Sequence, residues 1–256
     1  MLDIATHRTW FVAYATAKRE CEQGDRNPID LKIAHTFRVL KNAENIVRGE
    51  KFPPFLQRAC LLAALYHDVA RFEQYLRFHT FRDRESINHG REGVRILKKE
   101  QRLSSEQRSL AHVVMAAVGM HNSFALPPDL PSNIQVACHV VRDADKLDIL
   151  RVMDEHLSGP KPYNPTVVLR LPDDSSLGNP IIARAVLENR IANYADLQCV
   201  NDFRLLLGTW LFDMHFGSSR QQFLADGHAL RLVEALPDNS MYGAAKAHLL
   251  HCLKDE

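Results

Sequence analysis

At 256 residues, 46% hydrophobic and 25% charged, the chain has the composition of a soluble globular protein of one to two domains, which excludes disordered, collagen-like and low-complexity classes. With 32 Lys and Arg against 31 Asp and Glu the formal charge is +1, so no global field points to a nucleic-acid polymer, and an anionic partner must be recognised locally. No apolar run approaches the ~20 residues that cross a bilayer, and Met1 to Arg8 has an acid at position 3 and no long apolar stretch, so a cytoplasmic protein with no membrane partner and no secretory signal is expected.

Most of the chain repeats its apolar residues with a period near 3.6. From Asp30 to Gly49 the positions Ile33, Phe37, Leu40, Ala43 and Val47 predict an amphipathic helix, capped by Asp30, stopped by Gly49, and carrying His35 on or beside its buried stripe. Pro53-Pro54 opens a strongly apolar helix through Leu56, Cys60, Leu61, Ala64 and Leu65 that ends near His67-Asp68, and a third runs from about Asn88 to Glu100. Ser104-x-x-Gln107 and Ser132-x-x-Gln135 read as capping boxes, the first before a helix ending near His121-Asn122, the second before one through Val136, Val140, Ala144 and Leu147. Beyond Leu157 prolines interrupt the pattern, and Thr166 to Leu171, β-branched and bounded by Pro172, reads as one strand or an extended arm. Asn179-Pro180 then starts a helix to about Asn193, another passes through Phe203, Leu206, Leu207, Trp210, Leu211 and Met214, and the tail is helical. The expected fold is all-α: a helical bundle over 1–157 and a helical C-terminal extension over 158–256 packed on it as one compact unit.

The five cysteines, odd in number and without a C-x-x-C pair, read as core residues of a reducing compartment. Thirteen histidines are the unusual feature. His67-Asp68 closes the apolar segment Ala63-Ala64-Leu65-Tyr66, where a buried imidazole and carboxylate must both be satisfied, and an ion is one way to do so. His35 precedes it, while His89 in Ile-Asn-His-Gly, His121 in Gly-Met-His-Asn and Asp145 in Asp-Ala-Asp-Lys follow, each on a different helix, as bundle metal sites are built. Neutral imidazoles with carboxylates suit Mn, Fe, Co, Ni or Zn better than Ca, and no thiolate set argues for a structural zinc.

In His35-Thr-Phe-Arg-Val, in Ala-Ala-Leu-Tyr-His67-Asp68, and in the distal Asp-Ala-Asp145-Lys-Leu-Asp, the chain resembles the HD superfamily of metal-dependent phosphohydrolases over residues 30 to 155. The resemblance implies an all-α fold in which His35, His67, Asp68 and Asp145 hold one divalent metal. With His89 and His121 in the places of the two added histidines of the binuclear branch, it implies a second ion bridged by Asp68. It also selects Asp145 over Asp143, which with Asp148 reads as a helix-surface carboxylate or one behind the ligands. The doublet is followed by Val-Ala-Arg rather than the commoner Ile-Gly-Lys, and the Gly-Tyr-Pro motif of the cyclic-dinucleotide phosphodiesterases is absent.

From residue 71 to 102 nine Lys and Arg face five Asp and Glu, with Phe72, Tyr75, Phe78 and Phe81 interleaved, a stretch suited to a phosphate and a ring. Arg71, Gln74 and Asn122 are the expected substrate contacts. Asp68 and Asp145 are expected to orient the attacking water while Arg71 or Lys146 bears developing charge. The expected reaction is hydrolysis of a phosphoester of a nucleotide or other small phosphorylated metabolite, with one or two ions and with a homodimer allowed. Two other readings stand beside it: an HD-type diiron oxygenase, and a non-catalytic metal-binding signalling module.

Overall fold

The computed structural model describes residues 3–165 and 167–254, and among these all regular structure is helical, with no strand. It divides into two compact units, Met1–Asp145 and Lys146–Glu256. The division therefore falls inside a helix rather than at its end near residue 157.

The first unit contains α1 (Ala5–Cys21), α2 (Asn27–Gly49), α3 (Pro54–Tyr66), α4 (Arg71–Phe78), α5 (His89–Lys99), α6 (Arg108–Met120) and the first half of α7 (Ser132–Leu157). Its centre is α3, in which every residue from Ala59 to Tyr66 is buried. A helix apolar on all sides has to be surrounded, and α3 packs against α1, α2 and α6, while α5 packs along α6. Small residues at Ala59, Ala63 and Ala64 let those neighbours approach, and Leu62, Leu65 and Tyr66 fill the space between them. Tyr66 turns its hydroxyl to His7 Nδ1 at 2.8 Å, and the other ring nitrogen of His7 meets Glu106, which Arg58 holds from the far side. Two predicted signals work differently. Asp30 does not cap α2, which starts at Asn27 with Pro28 in its first turn, because the carboxylate is taken by Arg19 at 2.6 Å. The helix does end at Gly49, with the left-handed residue two positions on, at Lys51. The Ser104 hydroxyl donates to the Gln101 carbonyl, so the first capping box is not made, and α7 begins at Ser132 with the Pro131 carbonyl accepting from Ile134 and Gln135.

The second unit holds the rest of α7, α8 (Pro180–Leu187), α9 (Val200–Thr209) with a 3₁₀ turn Trp210–Asp213, α10 (Gly217–Asp226), α11 (His228–Glu234) and α12 (Gly243–Lys254). Here α9 is the enclosed helix, with α8, α11 and α12 around it. A Cβ on Gly208 would lie 2.8 Å from Leu249, so α12 approaches α9 over that glycine. Asn179 caps α8 through Ile181 N–H as expected, but the helix ends at Leu187, followed by left-handed Asn189, rather than at Asn193. The segment 167–171 is no strand: its amides close turns onto Asn164, Pro165 and Val168, with Leu169 and Arg170 left-handed, and Val168 enters the core; Thr166 lies outside the described residues.

Candidate metal centre

Asp68 sits between two pairs of histidines, and each of its oxygens faces one pair. Its Oδ2 lies 3.7 Å from His35 Nε2 and 3.6 Å from His67 Nε2; its Oδ1 lies 3.4 Å from His89 Nε2 and 3.9 Å from His121 Nε2. Asp145 completes the first side, with Oδ1 at 3.0 Å from His35 Nε2 and 3.8 Å from His67 Nε2. The result is two adjoining three-residue clusters, His35, His67 and Asp145 against Asp68, His89 and His121, in each of which the donor atoms lie within 4.8 Å of one another. All six sequence-predicted ligands thus come together.

The helix framework explains the convergence. The end of buried α3 delivers His67 and Asp68 into the bundle, α2 supplies His35 one turn after Lys32, and α7 supplies Asp145. His89 opens α5, where Asn88 caps the helix by accepting from Arg91 N–H at 2.9 Å. His121 follows α6. Two glycines set the distance between those last two helices: a Cβ on Gly90 would lie 2.7 Å from Asn122 Oδ1 and 3.0 Å from the carbonyls of Val118 and Gly119, and one on Gly93 would lie 3.1 Å from Val118. Arg142 of α7, one turn before Asp145, donates to the carbonyls of Ser123 and Phe124, which fixes the chain just after His121.

Proton positions follow from partners that can only accept. His67 Nδ1 and His121 Nδ1 each lie 2.8 Å from a backbone carbonyl, of Ala64 and Val118, and His89 Nδ1 lies 2.7 Å from the Asp83 carboxylate, so all three rings carry hydrogen on Nδ1. Burial pushes the three imidazoles below their ordinary value, His121 to about 3, which leaves them neutral at pH 7. Every Nε2 is then a lone pair. His89 and His121 point theirs at each other across 3.0 Å, and His67 Nε2 is buried without a hydrogen-bonding partner. Burial alone would also raise Asp68, but Lys32, His67, Arg71 and His89 hold it well below the carboxylate range; at Asp145 burial is likewise outweighed, by His35 and His67. A pocket in which three buried imidazole lone pairs converge with two carboxylates is a site for cations.

Three side chains expected to touch substrate, Arg71, Gln74 and Asn122, meet at one carboxylate that no motif indicated. Asp83, in the 3₁₀ turn before α5, accepts from His89 Nδ1 at 2.7 Å, Arg71 Nη1 at 3.0 Å, Gln74 Nε2 at 3.1 Å and Asn122 Nδ2 at 2.9 Å. Burial would raise this carboxyl, yet His89 and Arg71 keep it below its ordinary range. Gln74 is fully buried and also donates to Ser86 and Ile87; Arg71 keeps a partly exposed head and reaches Asp68 Oδ1 at 3.3 Å. Lys32, also unread in the sequence, pairs with Asp68 Oδ2 at 2.7 Å, and its spacing of three from His35 on an amphipathic helix was the available signal. Lys146 belongs to the second unit, where its ammonium pairs with Asp213. Asp143 and Asp148 are both buried, not on the helix surface, and Asp148 holds Arg151 at 2.8 Å.

Compared with known protein families, residues 33–150 match the HD domain, a span that holds all six converging residues. No curated protein and no solved structure matches the chain. No helix among the described residues is long and apolar enough to cross a membrane.

Proposed function

We propose, from the match of residues 33–150 to the HD domain, that the chain is a metal-dependent phosphohydrolase acting on a small phosphorylated molecule. The observation that carries the reading is the set of inward lone pairs around Asp68, three of them on histidines whose other nitrogen is committed to an acceptor. His35, His67, Asp145 and Asp68 would hold one divalent ion, and Asp68, His89 and His121 a second. Imidazole with carboxylate and without thiolate fits Mn, Fe, Co, Ni or Zn. When bound, such an ion lowers the pKa of water and offsets charge on a phosphoryl oxygen.

The chain's own groups supply the rest. Asp83 keeps the proton of His89 on Nδ1 and the ring turned inward. Gln74 and Asn122 hold Asp83 in turn, so these two act on the centre through that carboxylate. Arg71, whose head is partly exposed beside Asp68, is the group able to take an anionic oxygen of the substrate. The expected substrate is small, since five of the six ligands are buried and Asp145 alone keeps partial exposure.

The test is elemental analysis of protein purified without chelator, followed by a phosphate-release panel, for wild type and His67→Ala with Asp68→Ala. Metal content and turnover are expected to vanish together in the variant. Phosphoester hydrolysis by a metal-free variant overturns the proposal. Two irons with oxygen consumption and no phosphate release would replace it by the oxygenase reading, which the paired clusters around Asp68 equally suit.

A further inference from the structure

Beside the buried centre stand two cations that share one carboxylate and one aromatic ring. Lys32 Nζ lies 2.7 Å from Asp68 Oδ2 and 5.4 Å from the centre of the Phe81 ring; Arg71 Nε lies 3.3 Å from Asp68 Oδ1, with its guanidinium 5.8 Å from the same ring centre. Arg71 is fixed from behind by the Phe81 carbonyl at 2.6 Å and by Gln74 at 2.6 Å. Both cationic side chains keep some exposure, 15% and 14%, whereas Asp68 between them keeps 4%. Solvent therefore meets the two cations before the carboxylate.

The arrangement has a consequence for what can bind. Lys32 has as its carboxylate the one that the histidine pairs face, and Arg71 touches that carboxylate with Nε while Asp83, at 3.0 Å, holds its Nη1. Once Asp68 oxygens are drawn to a divalent ion, the Lys32 ammonium seated over the ring loses its carboxylate and the Arg71 Nε loses its contact, while the rest of the guanidinium stays on Asp83, Gln74 and the Phe81 carbonyl; an ammonium withdrawn from water without a partner is costly. A ligand that brings new anionic oxygens restores the balance. We propose that Lys32 and Arg71, on the Phe81 ring, form a clamp for the terminal phosphoryl group of a phosphomonoester. A monoester phosphate has three non-bridging oxygens and up to two negative charges, so the ammonium, the guanidinium and an ion held by the ligand cluster could each take one. A diester has two and a single negative charge, so one oxygen must be shared and the three cationic partners are answered less fully. The proposal rests on the phosphohydrolase reading and narrows it to monoesters, with Lys32 as the selecting residue.

The experiment is calorimetric titration of inorganic phosphate into manganese-loaded protein, for wild type, Lys32→Gln and Lys32→Arg, with manganese content measured on the same samples. Lys32→Gln is expected to bind phosphate about ten-fold more weakly or worse while keeping at least the wild-type manganese content, and Lys32→Arg to retain most of the affinity, a charged donor being replaced by another. Unchanged phosphate affinity in Lys32→Gln overturns the clamp. So does loss of manganese in parallel with phosphate, which would make Lys32 only a counter-ion of Asp68, and so does a wild-type protein that takes up manganese but binds no phosphate. If phosphate binds through Lys32 yet no ester is cleaved, the clamp stands and the hydrolase reading falls. A panel of monoesters and diesters adds the split in activity: Lys32→Gln should raise KM for monoesters.

Discussion

Asp83 shows how a single side chain can govern a centre it does not enter. Its carboxylate is the common acceptor of His89, Arg71, Gln74 and Asn122, so the inward lone pair of His89 depends on it. Asp83→Asn is expected to lower metal affinity about 10- to 100-fold, the usual cost of losing a partner behind a ligand. Competition with a metal-sensitive dye measures this, and an unchanged affinity would mean that His89 keeps its orientation without the charge. Of the six converging residues, Asp145, inside α7, was marked by the HD resemblance, whereas His67, Asp68 and His121 were legible as imidazole and carboxylate at the ends of apolar helices. Asp83 and Lys32 were not, because one lies in a polar stretch of many charges and the other reads as an ordinary surface lysine until α2 is docked on α3. Arg71, Gln74 and Asn122 were singled out as residues close to the doublet or to His121, but sequence could not show that all three turn to the same carboxylate.

At the level of elements, the approach of α5 to α6 decides whether His89 and His121 can face each other. Gly90→Ala would force a Cβ to 2.7 Å from Asn122 Oδ1 and 3.0 Å from two backbone carbonyls. It is expected to cost about 1–3 kcal/mol of stability, as overpacking does, and to weaken metal binding by moving both ligands. Urea denaturation with a metal titration checks both, and a variant as stable as wild type with full metal affinity would show that the helices separate at no cost. The elements themselves were partly legible. The helices around α2, α3, α5 and α6 follow from their 3.6-residue stripes, and Asn179 from its cap. The eight-residue α4 was hidden because two of its three buried residues are Phe72 and Tyr75 in a run rich in arginine, and the third is the polar Gln74. In α1 the buried stripe is only His7, Phe11 and Ala15, too narrow and too polar to stand out. The turn at 167–171 was misread because β-branched residues between prolines mimic a strand, whereas left-handed Leu169 and Arg170 fold the chain back on itself.

On the scale of the whole molecule, each compact unit encloses one apolar helix, α3 or α9, and each contains a buried acid that must be paired. In the second unit one such acid is Asp154 of α7, which accepts from His228 and Arg231 of α11, each at 2.8 Å, and from Ser158 at 3.1 Å. Burial works against its ionisation, but His228 and Arg231 hold the carboxyl below its ordinary value. A depressed carboxyl contributes stability that is fully present above its unfolded value and is lost as pH falls through the folded one. Asp154→Asn should therefore lower the stability of this unit by on the order of 2 kcal/mol at pH 7. The gap between variant and wild type should close as pH drops below about 4, the unfolded carboxyl value. Melting curves at pH 7 and below 4 test this, and a gap independent of pH would assign the loss to packing instead. The ligands of the candidate centre, finally, are gathered from His35 to Asp145, across nearly the whole first unit. Such distant segments meet only when the bundle is almost complete, so the centre belongs to the last stage of folding. An ion at about 100 times its Kd adds about 2.7 kcal/mol, and that gain should appear as slower unfolding with the refolding rate nearly unchanged. Stopped-flow traces with and without manganese would separate the two arms. Metal would then set how long the native state lasts, and have little part in how fast it is reached.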